Sequence, residues 1–436
     1  MKVERYDIVV IGAGPAGLRA AQVAVEEGAR VALIDDNPRA GGQIWRQGPG
    51  VVPPEPLAQW LANTAPRANL TSMHGTKVIA ALGGRRLLLE SGDAPASIEY
   101  AQLILATGAR ERLLPFEGWT LPGVTGAGGL QALLKGGMPV DGERVVIAGS
   151  GPLLLAAAST ARRRGADVRA VVEQAASHRV MRFGASLAAT PGKLAQALSL
   201  LREIGWTRYR TGAVVVKAHG TKRVEAVTLR EGARERCIDA ERVACGYGLV
   251  PNVTLAEALG CALDSQGAIR VDDAQRTSVD GVLAAGECTG VGGMELARIE
   301  GALAAYAALG IDDARVARDR RVRAHWRRFA ARVAAAFELG EAACAQPSAD
   351  TTLCRCEDVS IGAVAAHTNW RDAKLHTRCG MGPCQGRVCG AAAATLFGWD
   401  VSAPRPPFSP ARIETLIAAG DIDASNTHFD RRRAPL

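Results

Sequence analysis

A short apolar run near the N-terminus is followed by a glycine-rich turn and a longer segment rich in Ala, Leu and Val. The apolar run is YDIVVI at 6–11, the turn is GAGPAG at 12–17, and a second run, ARVALID, occupies 29–35. A buried strand, a glycine turn, a helix and a second strand within about 30 residues form the pattern of a dinucleotide-binding βαβ unit. The second run ends in Asp35, at the distance where an acid reaches a ribose hydroxyl.

The same order of elements recurs later in the chain. Residues 143–174 contain an apolar strand, a glycine turn, a helix and a strand that ends near Glu173. Between the two units, 103–124 predicts a buried strand that runs into a Pro-rich crossover, and 279–293 predicts a strand that ends in a glycine-flanked acid. The pattern therefore indicates two nucleotide-binding units in one α/β protein.

The residue composition changes after Ile311, where arginine becomes frequent. Residues 315–333 carry eight arginines, and apolar side chains recur there at three- and four-residue steps. These apolar positions are Val322, Trp326, Phe329, Val333 and Phe337. The spacing predicts an amphipathic helix with a basic outer face. Such a face is more often solvated than functional; if functional, it would contact an acidic partner subunit.

Bulk composition limits the function classes. The length of 436 residues fits two to three domains, and 48% hydrophobic with 22% charged residues is ordinary for a globular protein. The net charge of +8 comes mainly from arginine, and with 4% aromatic residues there are few side chains on which nucleic-acid bases could stack, so no nucleic-acid partner is expected. We expect no transmembrane segment and a cytoplasmic protein with reduced thiols, with peripheral contact to the inner membrane as the alternative location.

The first glycine turn has the chemistry of a phosphate site. Gly12 permits the tight turn, Gly14 lets the backbone approach a pyrophosphate, and Gly17 lets the helix pack close to the strand. The helix that follows would direct its unpaired N–H groups and its positive dipole end toward the phosphates.

The second turn is less complete. Gly149 and Gly151 are present, but Leu154 stands where the third glycine is expected. We therefore leave two interpretations open: a domain that binds NAD(P)H, and a domain that keeps the fold without a nucleotide. Glu173 would favour NADH over NADPH, because its charge repels a 2′-phosphate.

Cysteines concentrate near the C-terminus. Five of the ten cysteines fall within 36 residues, in CRCE at 354–357 and RCGMGPCQGRVCG at 378–390. A glycine-rich turn leads from them into GAAAATLF, a predicted helix whose N-terminus would stabilise thiolate charge. Four thiolates in this arrangement favour a [2Fe–2S] cluster; a zinc site and unrelated buried thiols are the alternatives.

The ordered motifs resemble the two-dinucleotide-domain flavoproteins related to glutathione reductase, over roughly residues 5–310. The resemblance implies an FAD domain interrupted by a second nucleotide domain. At the late glycine-flanked acid the family usually has Asp, whereas this chain has Glu287. Over this range the chain also lacks the CxxxxC and CxxC pairs that give disulfide reductases and thioredoxin reductases an internal dithiol. The positions expected to bind cofactor are Gly12, Gly14, Pro15, Ala16, Gly17, Asp35, Gly42, Gln43, Ala106, Thr107, Gly108, Gly286 and Glu287, with Gly149, Gly151 and Glu173 in the second unit.

The cysteine segment resembles the small [2Fe–2S] domain of the bacterioferritin-associated ferredoxin type. Versions of that domain are fused to one of the subunits of anaerobic glycerol-3-phosphate dehydrogenase and to opine-oxidase-like α subunits. The resemblance implies Cys354, Cys356, Cys384 and Cys389 as ligands, with Cys379 as the rival for the fourth position.

Together these units imply five regions. The expected boundaries are 1–115 with 246–310 for the FAD domain, 116–245 for the second nucleotide domain, 311–350 for the basic helix and linker, 351–400 for the cluster domain, and 401–436 for a tail.

From end to end the motifs resemble the α subunits of heteromeric dye-linked amino-acid dehydrogenases, a group that includes opine oxidases, D-hydroxyproline dehydrogenase and hydrogen cyanide synthase. The resemblance implies a CH–NH-oxidising complex in which an amino-acid-oxidase-like β subunit oxidises the substrate. The α subunit would relay electrons through FAD and [2Fe–2S] to an external acceptor. Some relatives hold FMN between subunits or ATP in place of FAD, and a small third subunit is a further expected partner. The alternatives are a self-contained NADH-dependent reductase and a zinc-stabilised scaffold subunit. No catalytic acid or base is assigned.

Overall fold

The computed structural model describes residues 3–92, 94–401 and 404–424. Strands and helices alternate through most of the chain. The strands are β1 (Val3–Ile11), β2 (Val31–Asp35), β3 (Leu70–His74), β4 (Thr76–Leu82), β5 (Arg86–Ser91), β6 (Ala94–Leu105), β7 (Ala109–Glu111), β8 (Val124–Gly126), β9 (Arg144–Ser150), β10 (Asp167–Glu173), β11 (Tyr209–Thr211), β12 (Ala213–His219), β13 (Ala226–Glu231), β14 (Arg234–Asp239), β15 (Arg242–Tyr247), β16 (Leu249–Pro251), β17 (Val282–Ala284), β18 (Thr352–Cys354) and β19 (Val359–Ser360). The helices are α1 (Pro15–Glu26), α2 (Glu55–Asn63), α3 (Ala127–Lys135), α4 (Leu153–Arg163), α5 (Ser177–Ser186), α6 (Pro191–Ile204), α7 (Thr254–Ala258), α8 (Met294–Ala308), α9 (Ala314–Ala336), α10 (Glu341–Cys344), α11 (Ile361–Ala365), α12 (Trp370–Thr377), α13 (Cys389–Phe397) and α14 (Ile413–Ala424).

The first sheet contains seven strands and has the order β3-β2-β1-β6-β5-β4, with β17 paired to β6. Strands β3, β2, β1, β6 and β17 are parallel, which places their carboxyl ends at one edge. Helices α1 and α8 cover one face of this sheet, where Leu18, Leu33, Ile104 and Leu303 are buried together. The chain leaves the sheet after β6 and returns only at β17.

The second sheet is built from the intervening segment. Its five strands have the order β11-β10-β9-β15-β8 and pair in parallel. A three-stranded antiparallel sheet, β12-β13-β14, packs beside it. The predicted α/β class, with a second Rossmann-like domain inserted in the first, is confirmed. The predicted residue boundaries stay predictions.

Helix α9 is the predicted basic helix, but its inner face differs from the predicted apolar stripe. The apolar positions Val322, Trp326, Phe329, Val333 and Phe337 are only partly buried. The fully buried residues of α9 are Val316, Asp319, Arg323 and Ala336. Arg323 donates to the Asp273 carbonyl and to the Gln275 side chain at 2.8 and 3.1 Å and pairs with the Asp273 carboxylate at 2.9 Å. Partners about fifty residues away thus compensate for burying a charge, which periodicity alone does not detect.

The C-terminal region is small and mainly helical, with its own core around Leu353, Ile361, Val364 and Trp370. The region expected to be a tail contains a helix, α14. The Arg412 N–H and the Thr415 hydroxyl both donate to the Glu90 carboxylate on β5, at 2.8 and 2.7 Å. The segment from 404 to 424 is therefore held against the first sheet, and the rest of the predicted tail lies outside the described residues.

Candidate functional site

The first glycine turn lies at the carboxyl edge of the first sheet, between β1 and α1. A Cβ on Gly12 would lie 2.2 Å from the Ala106 carbonyl oxygen, and one on Gly17 would lie 1.8 Å from the Gly12 carbonyl oxygen. Both positions therefore require glycine for close packing. Gly14 is different, because a Cβ there would meet nothing within 4 Å.

The start of α1 is suited to phosphate. Gly14 caps the helix without a side-chain hydrogen bond, and Pro15 stands at its first position. Open space above Gly14 next to uncapped N–H groups is the arrangement that a pyrophosphate requires. The residues present therefore fit a dinucleotide such as FAD.

The acid at the end of β2 is held by the turn itself. Asp35 is buried and accepts from the Ala13 backbone N–H at 2.5 Å and from the Asn37 backbone at 2.7 Å. The Asn37 side chain donates to the same oxygen as its backbone, at 2.8 Å. A carboxylate can accept about four hydrogen bonds, so one position remains for the predicted ribose contact.

The loop formed by Gly41, Gly42 and Gln43, which we call the GGQ loop, packs against the first glycine turn. A Cβ on Gly42 would lie 2.9 Å from the Gly14 Cα, so the loop approaches the phosphate position closely. The Gln43 side-chain oxygen accepts from Arg46 at 2.7 Å. The structure thus brings Gly42 to the turn, while the Gln43 oxygen is engaged by a neighbouring cation.

Residues Ala106, Thr107 and Gly108, which we call the ATG segment, follow β6 at the same edge of the first sheet. The Thr107 hydroxyl donates to the Asn252 carbonyl at 2.6 Å, and the Asn252 side chain donates back to the Thr107 carbonyl at 3.0 Å. A Cβ on Gly108 would meet nothing within 4 Å, while Ala106 lies buried against Gly12. This reciprocal pair holds the segment in place and leaves its glycine facing open space.

The glycine turn that follows β17, at 285–293, is supported by a buried acid of α8: the acid accepts hydrogen bonds from this turn, and sequence reasoning did not predict it. Glu300 on α8 is buried and accepts from the Gly286 N–H at 3.1 Å and from the Thr289 hydroxyl at 3.2 Å, while Arg327 of α9 lies 3.4 Å from its other oxygen. Burial raises the pKa of Glu300, against the opposing charge of Arg327. Burial likewise raises the pKa of Glu287, against a hydrogen bond from the Gly293 backbone. No motif flags Glu300, since it lies in the middle of an Ala-rich helix.

The second glycine turn is closed. Glu173 is fully buried and accepts from the Gly151 N–H at 2.7 Å and from the Ala175 N–H at 2.9 Å. Burial raises its pKa to about 7. Leu154, in place of the third glycine, is completely buried in the core beneath α4. The acid predicted to select a cofactor therefore bonds its own turn.

A segment of this chain lies over the second turn. The segment is 337–340, which follows α9, and we call it the covering segment. The Ser150 hydroxyl donates to the Phe337 carbonyl at 2.7 Å, and Phe337 side-chain atoms are the first that a Cβ on Gly151 would meet, at 3.9 Å. The Gln174 amide donates to the Ser150 hydroxyl and the Glu338 carbonyl, both at 3.0 Å, and accepts from the Gly340 N–H at 3.0 Å.

The C-terminal cysteines converge. The sulfur atoms of Cys354, Cys379 and Cys389 lie within 4.8 Å of one another, and all three residues are buried. Cys356 and Cys384 lie at the outside of this group and contact each other. Cys389 contacts Cys379 and Cys354. The structure therefore brings Cys354, Cys389 and the rival Cys379 into one group, while Cys356 and Cys384 form a contacting pair beside it.

Backbone donors surround these sulfurs. The Gly380 N–H points at the Cys354 sulfur at 3.5 Å. Partial burial opposes ionisation of Cys384, but the N–H of Val388, the Cys356 thiol and the N–H groups of Gly386 and Arg387 lower its pKa overall. Such donors at the start of α13 stabilise sulfur that carries negative charge. The donor set and its surroundings fit a thiolate-bound metal group.

The segment 379–389, which carries three of the cysteines and which we call the thiol loop, is hydrogen-bonded to the ATG segment through one arginine. Arg110 on β7 donates to the Arg387 carbonyl at 3.1 Å and to the Asn252 side chain at 3.2 Å. A second attachment joins the Trp119 indole N–H to the Thr352 carbonyl at 2.6 Å, and the Arg355 guanidinium lies 5.1 Å from the centre of the Trp119 ring. Sequence reasoning found neither Arg110 nor Asn252, because each acts through a distant partner.

Two dinucleotide-binding folds and an open glycine turn define a flavoprotein oxidoreductase of the two-domain class. Residues 6–308 match the pyridine nucleotide-disulphide oxidoreductase family, and the chain belongs to that family of FAD-binding oxidoreductases. The predicted family resemblance is confirmed at this level.

Particular relatives extend the match beyond the two domains. The A subunit of opine oxidase from Rhizobium meliloti is 32% identical over 449 residues, covering 94% of this chain and 84% of that protein. The HcnB subunit of hydrogen cyanide synthase from Pseudomonas protegens is 32% identical over 427 residues, covering 87% and 89%.

Solved structures agree on the fold. L-proline dehydrogenase from P. horikoshii gives a TM-score of 0.64 at 20% identity over 95% of this chain and 80% of that chain. Thioredoxin reductase from T. acidophilum gives 0.55 at 25% identity over 70% and 98%. None of the helices in the described part of the chain has the length and apolar character needed to cross a bilayer.

Proposed function

We propose that this chain is the electron-transferring α subunit of a heteromeric amino-acid or imino-acid dehydrogenase. Its partner would be an amino-acid-oxidase-like β subunit that oxidises a CH–NH bond. FAD would lie at the first glycine turn, and four of the five C-terminal thiols would hold a [2Fe–2S] cluster. When bound, these groups would supply the electron-carrying chemistry that the side chains lack.

One observation carries the proposal: a single chain of contacts joins the two candidate cofactor sites. Thr107 of the ATG segment bonds Asn252, Asn252 bonds Arg110, and Arg110 bonds the backbone between Cys384 and Cys389. An arginine with fixed donors holds the thiol loop at a set position against the nucleotide site. That arrangement suits the passage of electrons between them.

The second glycine turn speaks against NADH as the electron source. Leu154 fills the space under the turn, and the covering segment lies above it. A donor on another subunit agrees with this and with the names of the relatives, which are subunits. We propose opines and D-hydroxyproline as the first substrates to test with the assembled complex, and FMN as a cofactor to look for at the subunit interface.

We propose Cys354, Cys356, Cys384 and Cys389 as the ligands. Cys356 contacts Cys384, and Cys389 contacts Cys354 as well as the rival Cys379. Cys379 is buried as deeply as Cys354 and Cys389 and lies in the same group of sulfurs, so it stays the rival for the fourth position.

The test is the visible spectrum of the anaerobically purified chain, with flavin, iron and sulfide assays on the same sample. We expect flavin bands and about two irons and two sulfides per chain. Cys389→Ser should lose the iron and sulfide, whereas Cys379→Ser, the matched control, should keep them. A colourless zinc protein would refute the relay and support a scaffold role.

Two activity measurements complete the test. The lone chain should oxidise no imino acid, because the proposal places substrate oxidation on the β subunit, and rapid oxidation by the lone chain would contradict the proposal. Adding NADH should leave the flavin absorbance unchanged. Bleaching within seconds would instead establish a self-contained NADH-dependent reductase.

A further inference from the structure

An open groove of about 450 Å³ lies between α1, α2, α8 and α9. Its walls include Arg19, Trp60, Arg298, Arg318 and Trp326. None of the expected flavin-binding residues lines it. Its volume falls within the range of small-molecule sites rather than that of single ions.

The charges in this groove are not balanced. Its two acids already have partners: Glu295 pairs with Lys193 at 2.7 Å, and Asp319 with Arg318 at 3.1 Å. In the described part of the chain, Arg19 and Arg298 form no ion pair and no side-chain hydrogen bond, although both are partly buried.

The two unpaired arginines also repel each other. Burial lowers the pKa of Arg298, and the charge of Arg19 lowers it further, against the opposing charge of Glu295. Holding two partly buried like charges close together costs free energy, which an anion bound between them would offset. Such a pair is how proteins bind phosphate and carboxylate groups.

A buried donor beneath the surface of the groove also lacks a hydrogen-bond partner. Trp60 is 2% exposed, and its indole N–H has no hydrogen-bond partner. A buried N–H without a partner is uncommon and costs free energy. The Trp60 indole nitrogen has no surface that a molecule in the groove could touch, so the unmet groups that face the groove are the two arginines.

We propose that this groove binds a small organic dianion, whose anionic group is a phosphate monoester or a pair of carboxylates. Two charges match Arg19 and Arg298, which both line the groove. The Trp326 ring, which also lines the groove, provides an apolar surface for the rest of the molecule.

The groove also borders the helices that frame the flavin turn. Arg19 lies on α1, which begins beside Gly14, and Arg298 lies two residues before Glu300, the acid beneath Gly286. The ligand would therefore bind apart from the flavin turn, on the helices that frame it. The inference holds whichever cofactors the chain carries.

The test is calorimetric titration of the purified flavin-loaded chain with phenyl phosphate and, separately, with phthalate. We expect saturable binding of one molecule per chain, and the tighter probe identifies the anionic group. The double variant Arg19→Gln with Arg298→Gln should weaken binding at least tenfold, whereas Trp60→Phe, which removes only a donor beneath the groove surface, should bind as the wild type does. Arg328→Gln, on the exposed side of α9, should bind as the wild type does.

Thermal unfolding provides an independent arm. Without ligand, Arg298→Gln should raise the melting temperature by relieving repulsion, whereas saturating ligand should stabilise the wild type more than the variant. Equal binding by the wild type and the double variant would overturn the proposal. So would the failure of both probes to bind.

Discussion

The two glycine turns of this chain have the same local pattern and opposite surroundings. In the first, Gly14 faces open space at the start of α1. In the second, Glu173 occupies the Gly151 N–H and the covering segment lies above. Each turn carries an acid at the end of the next strand, and both acids accept from their own turn.

The difference lies in what surrounds the turn rather than in the motif. A glycine-rich strand-turn-helix specifies the fold, because the tight turn requires glycine in either case. Whether a nucleotide can enter is decided by the third position, Gly17 or Leu154, and by a segment far along the chain. One unit can therefore keep the fold while its crevice serves to hold another part of the same protein.

The most severe test of this contrast is to fill the first turn. Gly14→Ala should fold normally, since φ is −79° and a Cβ would meet nothing within 4 Å, yet the methyl group would occupy the pyrophosphate position. We expect flavin content to fall at least tenfold, with little change in the melting temperature. Gly83→Ala, also in open space, is the control. Full flavin occupancy in Gly14→Ala would place the cofactor elsewhere.

The buried acid of the second turn should make stability depend on pH. Its folded pKa is about 7, whereas the ordinary pKa of Glu is 4.5, so the folded state binds more protons between these values. Stability should therefore fall as pH rises from about 4.5 to 7, by about 3 kcal/mol at most, and then level off. Chemical denaturation of the wild type and Glu173→Gln from pH 5 to 8 measures this. An unchanged difference between the two proteins across that range would contradict the burial argument.

Loosening the covering segment should have a smaller effect. Gln174→Ala removes three hydrogen bonds at 3.0 Å that hold Ser150, Glu338 and Gly340 together. We expect a loss of about 1–3 kcal/mol in unfolding free energy, because two of the three hydrogen bonds are partly buried and their polar groups lose their partners. NADH titration of the same variant separates the two barriers at this turn: Leu154 should still prevent binding, whereas NADH binding would make the segment the sole barrier.

The smallest effect should come from the exposed edge of the covering segment. Arg179 pairs with Glu338 at 2.8 Å, but the Glu338 side chain is 70% exposed. Surface ion pairs contribute about 0–1 kcal/mol, so Arg179→Ala should change unfolding free energy by less than Gln174→Ala does. A larger loss would mean that the pair helps to set the position of the segment.

The sequence predicts this molecule well where its chemistry is local. Strand, turn and helix follow each other within about thirty residues at Gly12 and at Gly149, and the cysteine spacing places five thiols in one loop region. Where tertiary partners decide, sequence reasoning fails. Glu300, Arg110 and Asn252 belong to no motif, since each acquires its role from a residue far along the chain.

Helix α9 illustrates the same limit. Its apolar positions recur with helical spacing, yet Arg323 and Asp319 are the buried side chains. Hydrophobic periodicity depends only on residues within the helix. It therefore cannot detect Asp273 and Gln275, whose hydrogen bonds make the burial of Arg323 possible. Spacing alone also cannot rank five neighbouring cysteines, whereas the fold separates an inner group from an outer pair.

Helix α9 has a mechanical consequence for the whole protein. Its 23 residues extend about 35 Å. Arg315 is paired with Glu27 at its start, Arg327 with Glu300 in its middle, and Arg332 donates to Thr190 near its end. The helix thus links the two nucleotide domains, and neither domain can rotate against the other without breaking these contacts. Loss of one domain removes the support of the other, so the two should unfold together as a single cooperative unit.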